Sequence, residues 1–101
     1  MENQLYEISF WVKLNADVEK EIEKIINLIQ KNNGEILYKD APKKKEMAYP
    51  IKKEKTGFFS YIVFKLEKDK IENIKKELLF YKNILRFLIV KRKVLLQKEK
   101  V

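Results

Sequence analysis

The spacing of apolar residues changes from two to three or four and back again, twice along the chain, and this order limits the possible folds. Residues 5–12 alternate apolar side chains with Glu7 and Ser9, which is typical of a β-strand with one buried face. Asn15 to Asp17 can then cap a helix, which Asn33-Gly34 would end. The apolar residues of this predicted helix recur at steps of three and four: Val18, Ile22, Ile25, Ile26 and Ile29.

Two further strands are predicted in the middle of the chain. Residues 35–38 and 47–51 predict one irregular second strand, interrupted by Pro42 and a run of lysines. Pro50 indicates an edge position or a bulge in it, because proline cannot donate a hydrogen bond to a neighbouring strand. Residues 58–66 alternate most clearly and predict a third strand that pairs with the second.

The second half ends with another helix and strand. Asp69 and Glu72 resemble a capping box at the start of a helix that ends near residue 82, and residues 84–90 predict the fourth strand. The order βαββαβ predicts an α+β, ferredoxin-like fold, a four-stranded antiparallel sheet with two helices on one face and strands one and three in its centre. We expect one domain over residues 1–93 and a basic, flexible C-terminal tail over 94–101.

Composition excludes most catalytic and metal chemistry. The chain has no cysteine and no histidine, so it lacks thiol nucleophiles, disulfides, the usual general base and the commonest metal ligands. We therefore expect no enzyme activity, no catalytic or metal-binding residues, no cofactor and no small-molecule substrate. The apolar runs are far shorter than the roughly 20 residues of a membrane helix, and residues 1–4 do not resemble a secretory signal, so we expect a cytoplasmic protein with no membrane partner.

Positive charge is concentrated in two short segments. The net charge is +8, and residues 43–55, with six basic and two acidic side chains, and 91–101, with five and one, account for it. Such clusters suit contacts with nucleic-acid phosphates. A solvated lysine-rich surface, or a lysine-favouring coding bias, explains the same charges, since only Arg86 and Arg92 are arginine.

The sheet face that the helices leave open is predicted to be unusually apolar. The alternation assigns to it Trp11, Phe59, Tyr61, Val63, Arg86 and Leu88. Contiguous apolar patches of this kind tend to be docking surfaces. Protein docking or self-association, stacking of unpaired bases and simple cross-strand packing all remain open at this point.

Several segments resemble the bacterial family of small-subunit ribosomal protein six. They are Ala48-Tyr49-Pro50-Ile51-Lys52-Lys53, the following Gly57-Phe58-Phe59, and residues 83–91, Asn-Ile-Leu-Arg-Phe-Leu-Ile-Val-Lys. The resemblance covers nearly the whole chain. It implies the ferredoxin-like fold, no catalysis, and a structural role in the central domain of the small subunit, bound to 16S ribosomal RNA together with small-subunit ribosomal protein eighteen. The family usually has arginines before the Ala-Tyr-Pro-Ile segment, where this chain has lysines.

Two sets of site residues follow from the charge, the open face and the resemblance. The predicted RNA-binding residues are Lys44, Lys45, Lys52, Lys53, Arg86, Lys91 and Arg92. The predicted residues for docking a protein partner are Trp11, Phe59, Tyr61 and Leu88. An alternative function is a small dimeric ligand-binding regulatory module with a ferredoxin-like fold, in which a second copy would cover the same face.

Overall fold

A single antiparallel sheet carries two helices on one of its faces. The computed structural model describes residues 2–100. The strands are β1 (Asn3–Lys13), β2 (Glu35–Lys39), β3 (Lys43–Ile51), β4 (Glu54–Glu67) and β5 (Ile84–Arg92), and the helices are α1 (Val18–Lys31) and α2 (Ile71–Leu78). Short 3-10 turns at Lys68–Lys70 and Gln97–Glu99 precede α2 and follow β5.

The strand order is β2-β4-β1-β5, and β3 pairs with β4 as the other arm of a hairpin. The strands predicted as one and three, now β1 and β4, therefore lie in the centre, as expected. Trp11 of β1 stands opposite Phe59 of β4 on one side and Arg86 of β5 on the other. The register thus places residues that are far apart in sequence in one row across the sheet.

The core lies between the sheet and both helices. Alternate β1 residues, from Tyr6 to Val12, are almost fully buried in it. Their partners from β4 and the helices, all less than 4% exposed, include Ile62, Phe64, Leu66, Ile22, Ile25, Ile29, Ile74 and Leu78. This arrangement confirms the predicted α+β, ferredoxin-like fold with both helices on one face.

The predicted second strand is divided into two. Lys43, Lys44 and Lys45 do not interrupt it but begin β3, where Lys44 stands opposite Phe58. The break falls before them at Asp40, whose carbonyl accepts a hydrogen bond from Ser60 Oγ at 2.6 Å and whose carboxylate accepts one from Tyr38. The Asp40 N–H still bonds to the Tyr61 carbonyl at 3.0 Å, so the chain stays beside β4 between β2 and β3.

The two helices begin differently. The Asp17 carboxylate caps α1 by accepting a hydrogen bond from the Lys20 N–H at 3.3 Å, as the sequence predicts. The prediction that Asp69 caps α2 is wrong, because Asp69 lies inside the 3-10 turn and no side chain caps the helix. The Ile71 N–H is bonded instead to the Lys68 carbonyl. The tight turn thus satisfies a backbone donor that a capping residue would otherwise bind.

The backbone of β1 leaves no room for a side chain at Gly57 of β4. A Cβ atom at this position would lie 2.9 Å from the Val12 carbonyl oxygen, which belongs to the backbone and cannot rotate away. The lack of a side chain therefore allows the strand pairing beside Trp11.

We expect Gly57→Ala to destabilise the protein by about 1–3 kcal/mol, because the added methyl group forces the two strands apart. Urea denaturation followed by circular dichroism measures this change. Lys55→Ala, at an exposed position of the same strand, is the matched control and should change stability by less than about 0.5 kcal/mol. Equal stability of Gly57→Ala and the wild type would contradict the close approach.

Candidate RNA and protein interface

The turn between β3 and β4 presents two lysines on a strained backbone. Lys52 and Lys53 have φ angles of 52° and 68°, and they form a two-residue loop closed by the Ile51–Glu54 pair. Positive φ at both positions is the geometry of a type I′ turn, which favours asparagine and glycine. Lysines here bear a conformational cost of about 1–2 kcal/mol each. Both side chains are exposed at the tip of the hairpin.

The other two predicted lysines of the hairpin do not share a face. Lys45 lies on the open face of the sheet, with its Nζ 5.1 Å from the centre of the Phe59 ring. Lys44 is the next residue along an extended strand, so its side chain points to the opposite side. Both are exposed, and the edge strand thus displays positive charge on both of its sides.

Arg86 occupies the centre of the candidate interface. Its exposed side chain lines three shallow depressions, of about 150, 250 and 380 Å³. The first also contains Trp11 and Leu88, the second Trp11 and Tyr49, and the third Lys52. The structure therefore joins the hairpin tip to the apolar open face through one guanidinium group.

Residues 2–100 leave half of the open face uncovered. Trp11 and Phe59 pack against each other with ring centres 5.1 Å apart, and both are half-buried. Leu88, in the neighbouring strand, is 59% exposed. We call the surface formed by Trp11, Phe59, Arg86 and Leu88 the open half-face.

The C-terminal segment covers the other half. Residues 93–100, the C-terminal arm, fold back across the sheet, and Glu99 is completely buried there. Its carboxylate accepts hydrogen bonds from Arg92 at 2.7 and 3.0 Å, from the Tyr61 hydroxyl at 2.7 Å and from the Leu96 N–H at 2.8 Å. The buried carboxylate of Glu99 thus meets four donors, and these contacts join the C-terminal arm to the sheet.

These contacts shift the pKa values of the Glu99 carboxyl and the Tyr61 hydroxyl in opposite directions. The hydrogen bonds from Arg92, Leu96 and Tyr61 outweigh burial and lower the pKa of Glu99 to about 2. Burial and the hydrogen bond to Glu99 raise the pKa of Tyr61 well above its ordinary value. The carboxylate stays ionised and the phenol stays protonated throughout the neutral range.

The arm binds the polar groups of two predicted site residues. Tyr61, predicted to dock a partner, has its hydroxyl bound to Glu99 and lies beneath Lys98, whose Nζ is 5.4 Å from the ring centre. Arg92, predicted to bind RNA, directs its guanidinium to Glu99 and lies 3.4 Å from Glu7. The sequence contains one signal for these contacts of the C-terminal arm, because Glu99 is the single acidic residue of the basic segment 91–101.

Lys91 lies apart from the other predicted RNA-binding residues. It is exposed and stands opposite Tyr6, near the end of β5. Arg86 stands opposite Trp11 on the other face of the sheet. The geometry thus brings together Lys45, Lys52, Lys53 and Arg86 around the hairpin and the open half-face.

Two further features of residues 2–100 bear on the class of protein. None of their acidic side chains form a cluster of three or more that could hold a metal ion. Neither helix in this range has the length and apolar character needed to cross a membrane. The fold and the surface define a ferredoxin-like α+β protein whose candidate site is a basic and aromatic surface.

Comparison with known proteins gives the family. Residues 5–91 match the family model described as Ribosomal protein S6. The small ribosomal subunit protein bS6 of Clostridioides difficile is 35% identical over 88 residues, which are 84% of this chain and 95% of that protein. The chain therefore belongs to the ribosomal protein S6 family, non-enzymatic structural proteins of the small ribosomal subunit. The resemblance seen in the sequence and the expected lack of catalysis are confirmed.

Other relatives differ in length or share only the fold. The bS6 protein of Sulfurimonas denitrificans is 29% identical over 75 residues, 74% of this chain and 55% of that protein, so the chain spans about half of its length. The crystal structure of 30S ribosomal protein S6 from Thermotoga maritima covers 90% of this chain and 89% of its own, with a TM-score of 0.82 and 21% identity. An uncharacterized protein from the same organism has a TM-score of 0.59, 17% identity, and coverage of 91% and 100%.

The buried carboxylate of Glu99 should hold the arm on the sheet. We expect Glu99→Gln to lower the free energy of local opening of the arm by about 1–3 kcal/mol, because it removes the charge that pairs with Arg92. Hydrogen exchange of the Leu96 amide, which donates to this carboxylate, measures the opening. Glu72→Gln, which removes an exposed carboxylate paired with Lys75, is the control.

The same contacts predict that the stability of the C-terminal arm on the sheet depends on pH. Because the folded pKa of Glu99 is lower than its ordinary value of 4.5, its stabilisation is complete above pH 4.5 and is lost as the pH falls toward 2. Side-chain NMR signals of Tyr61 should follow this loss. A Leu96 amide with equal protection in the wild type and Glu99→Gln would show that the arm is held by other contacts.

Proposed function

We propose that the chain binds 16S ribosomal RNA in the central domain of the small ribosomal subunit, together with small-subunit ribosomal protein eighteen. Its membership of the S6 family makes it a structural protein of that subunit, and the proposal concerns its place and partners. The observation that carries it is the position of Arg86. This residue lies between the exposed lysines of the hairpin and the apolar side chains of the open half-face. One continuous surface therefore offers charged contacts for RNA and apolar contacts for a protein.

The RNA side of this surface is the hairpin. Lys44, Lys45, Lys52 and Lys53 are exposed along β3 and its turn. Ammonium groups bind phosphates as point charges and release the counterions condensed on RNA, so they add affinity without reading sequence. The planar guanidinium of Arg86 adds two parallel donors that fit a phosphate or a base edge.

The two remaining predicted RNA-binding residues, Lys91 and Arg92, lie at the margin of the proposed RNA-binding surface. Lys91 is exposed and free to contact a phosphate beyond the main surface. The Arg92 guanidinium is only 11% exposed and bound to Glu99. Contact between Arg92 and RNA would require release of the C-terminal arm, so we place it outside the primary contact.

The protein side is the open half-face. Trp11, Phe59 and Leu88 offer an aromatic pair beside an aliphatic side chain, and Arg86 lies at their edge. Aromatic residues and arginine are enriched at interface cores. The Tyr61 hydroxyl is already bound to Glu99, so we propose that the partner docks beside the arm and not beneath it.

Removal of the turn lysines should reduce the salt dependence of RNA binding. We expect Lys52→Gln with Lys53→Gln to lower the slope of log K against log salt by about 0.7–0.9 for each phosphate that is no longer neutralised. The measurement is equilibrium binding to a transcript of the central domain of 16S ribosomal RNA, with protein eighteen present, between about 50 and 200 mM salt. Arg86→Lys should weaken binding further, because an ammonium group cannot donate two parallel hydrogen bonds.

The control for net charge is Lys20→Gln with Lys65→Gln, which removes two exposed lysines distant in sequence from the turn at Lys52 and Lys53. It should leave the slope near that of the wild type. If both double variants lower the slope equally, the lysines act only through the total charge of the protein. If the wild type does not bind the transcript, the proposed function is wrong.

Disruption of the open half-face should prevent docking of the partner. We expect Leu88→Asp to weaken binding of purified protein eighteen by roughly tenfold or more, because it buries a charge within an apolar contact. Isothermal titration calorimetry without RNA measures this affinity. Leu14→Asp, at another exposed leucine, is the control. Unchanged binding by Leu88→Asp, with weaker binding by Tyr61→Ala, would mean that the partner displaces the arm.

A further inference from the structure

The turn after α2 exposes two adjacent large apolar side chains. Leu79 is 75% exposed and Phe80 is 80% exposed, whereas Leu78 before them is buried. Hydrogen bonds from the Phe80 N–H to Glu77 and from the Tyr81 N–H to Leu78, at 3.0 Å each, fix the backbone of this turn. The Phe80 side chain is therefore presented to solvent from a hydrogen-bonded turn.

The surroundings of this ring are polar and basic. Phe80 lines a depression of about 420 Å³. The other residues that line it are Lys31, Asn32, Asn73, Lys76 and Glu77. Lys31 Nζ lies 3.7 Å from the Glu77 carboxylate, whereas Lys76 has no carboxylate within 4 Å in the described part of the chain. One ammonium group beside the exposed ring is thus available to an anion.

This depression continues the candidate interface around the end of the sheet. Leu79, the neighbour of Phe80, lines the depression that also contains Lys52 and Arg86. A strip of exposed side chains therefore runs from the hairpin turn, past Arg86 and Leu79, to Phe80 and Lys76. None of these residues except Lys52 and Arg86 belongs to the predicted sites.

We propose that an unpaired nucleotide of the bound RNA occupies this depression, with its base stacked on Phe80 and a phosphate at Lys76. The inference rests on the proposed function, because it extends the same RNA surface. An aromatic face supplies stacking, amide groups such as that of Asn73 can bind base edges, and a lysine supplies charge. An apolar protein partner fits less well, because lysine and glutamate are depleted from protein interface cores.

Substitution of Phe80 separates stacking from simple apolar contact. We expect Phe80→Ala to weaken binding of the central-domain transcript, with protein eighteen present, roughly 5- to 150-fold, the range that corresponds to removal of one base–aromatic stack. Phe80→Trp should retain or improve the affinity. Phe80→Leu, which keeps apolar area but has no aromatic face, should weaken binding nearly as much as Phe80→Ala.

The outcomes distinguish the two proposals. If the wild type binds the transcript and Phe80→Ala binds equally well, this inference is wrong and the proposed function stands. If Phe80→Leu binds like the wild type while Phe80→Ala does not, the site is an apolar contact and stacking is excluded. If the wild type does not bind at all, both proposals fail. Because Phe80 is exposed, these variants should fold normally, which circular dichroism checks, and Leu14→Ala is the control for removal of an exposed apolar side chain.

Discussion

The strict two-residue alternation of β1, in the middle of the sheet, determines most of this structure. Its even-numbered residues from Tyr6 to Val12 are buried against the helices, so the odd-numbered residues must face the other way. Because β4 and β5 flank β1 in fixed register, Trp11 is placed between Phe59 and Arg86. The alternation of β1 thus places one set of residues in the core and the other set in the candidate interface. A register shift of one residue would exchange the two sets and destroy both surfaces.

Several residues of the interface are unfavourable for stability alone. Lys52 and Lys53 occupy left-handed backbone positions that suit glycine and asparagine, and Leu79, Phe80 and Leu88 expose apolar area to water. Locally unfavourable features tend to lie at functional sites. Here they lie on neighbouring elements around one end of the sheet, which supports a shared binding role.

Much of the fold could be predicted from the sequence because its periodicities are local. The strands, the helices and the face of each alternating residue follow from spacing alone. The division of the predicted second strand does not, and it falls at Asp40, which accepts a hydrogen bond from Ser60 across 20 positions of sequence. The C-terminal arm could not be predicted, since its position depends on Glu99 meeting Tyr61 across 38 positions of sequence. Phe80 was missed for another reason, because helical spacing identifies the residues that point inward and does not mark an exposed ring as a site.

The strand order also sets the sequence of events during synthesis. β1 is made first, yet one of its two neighbours is β5, which begins at Ile84. Until that strand has emerged, one long edge of β1 remains unpaired, and edges of this kind pair readily with other chains. A fold whose central strand needs contacts so distant in sequence closes slowly and late. The nascent protein therefore keeps an edge of β1 open to aggregation until β5 becomes available.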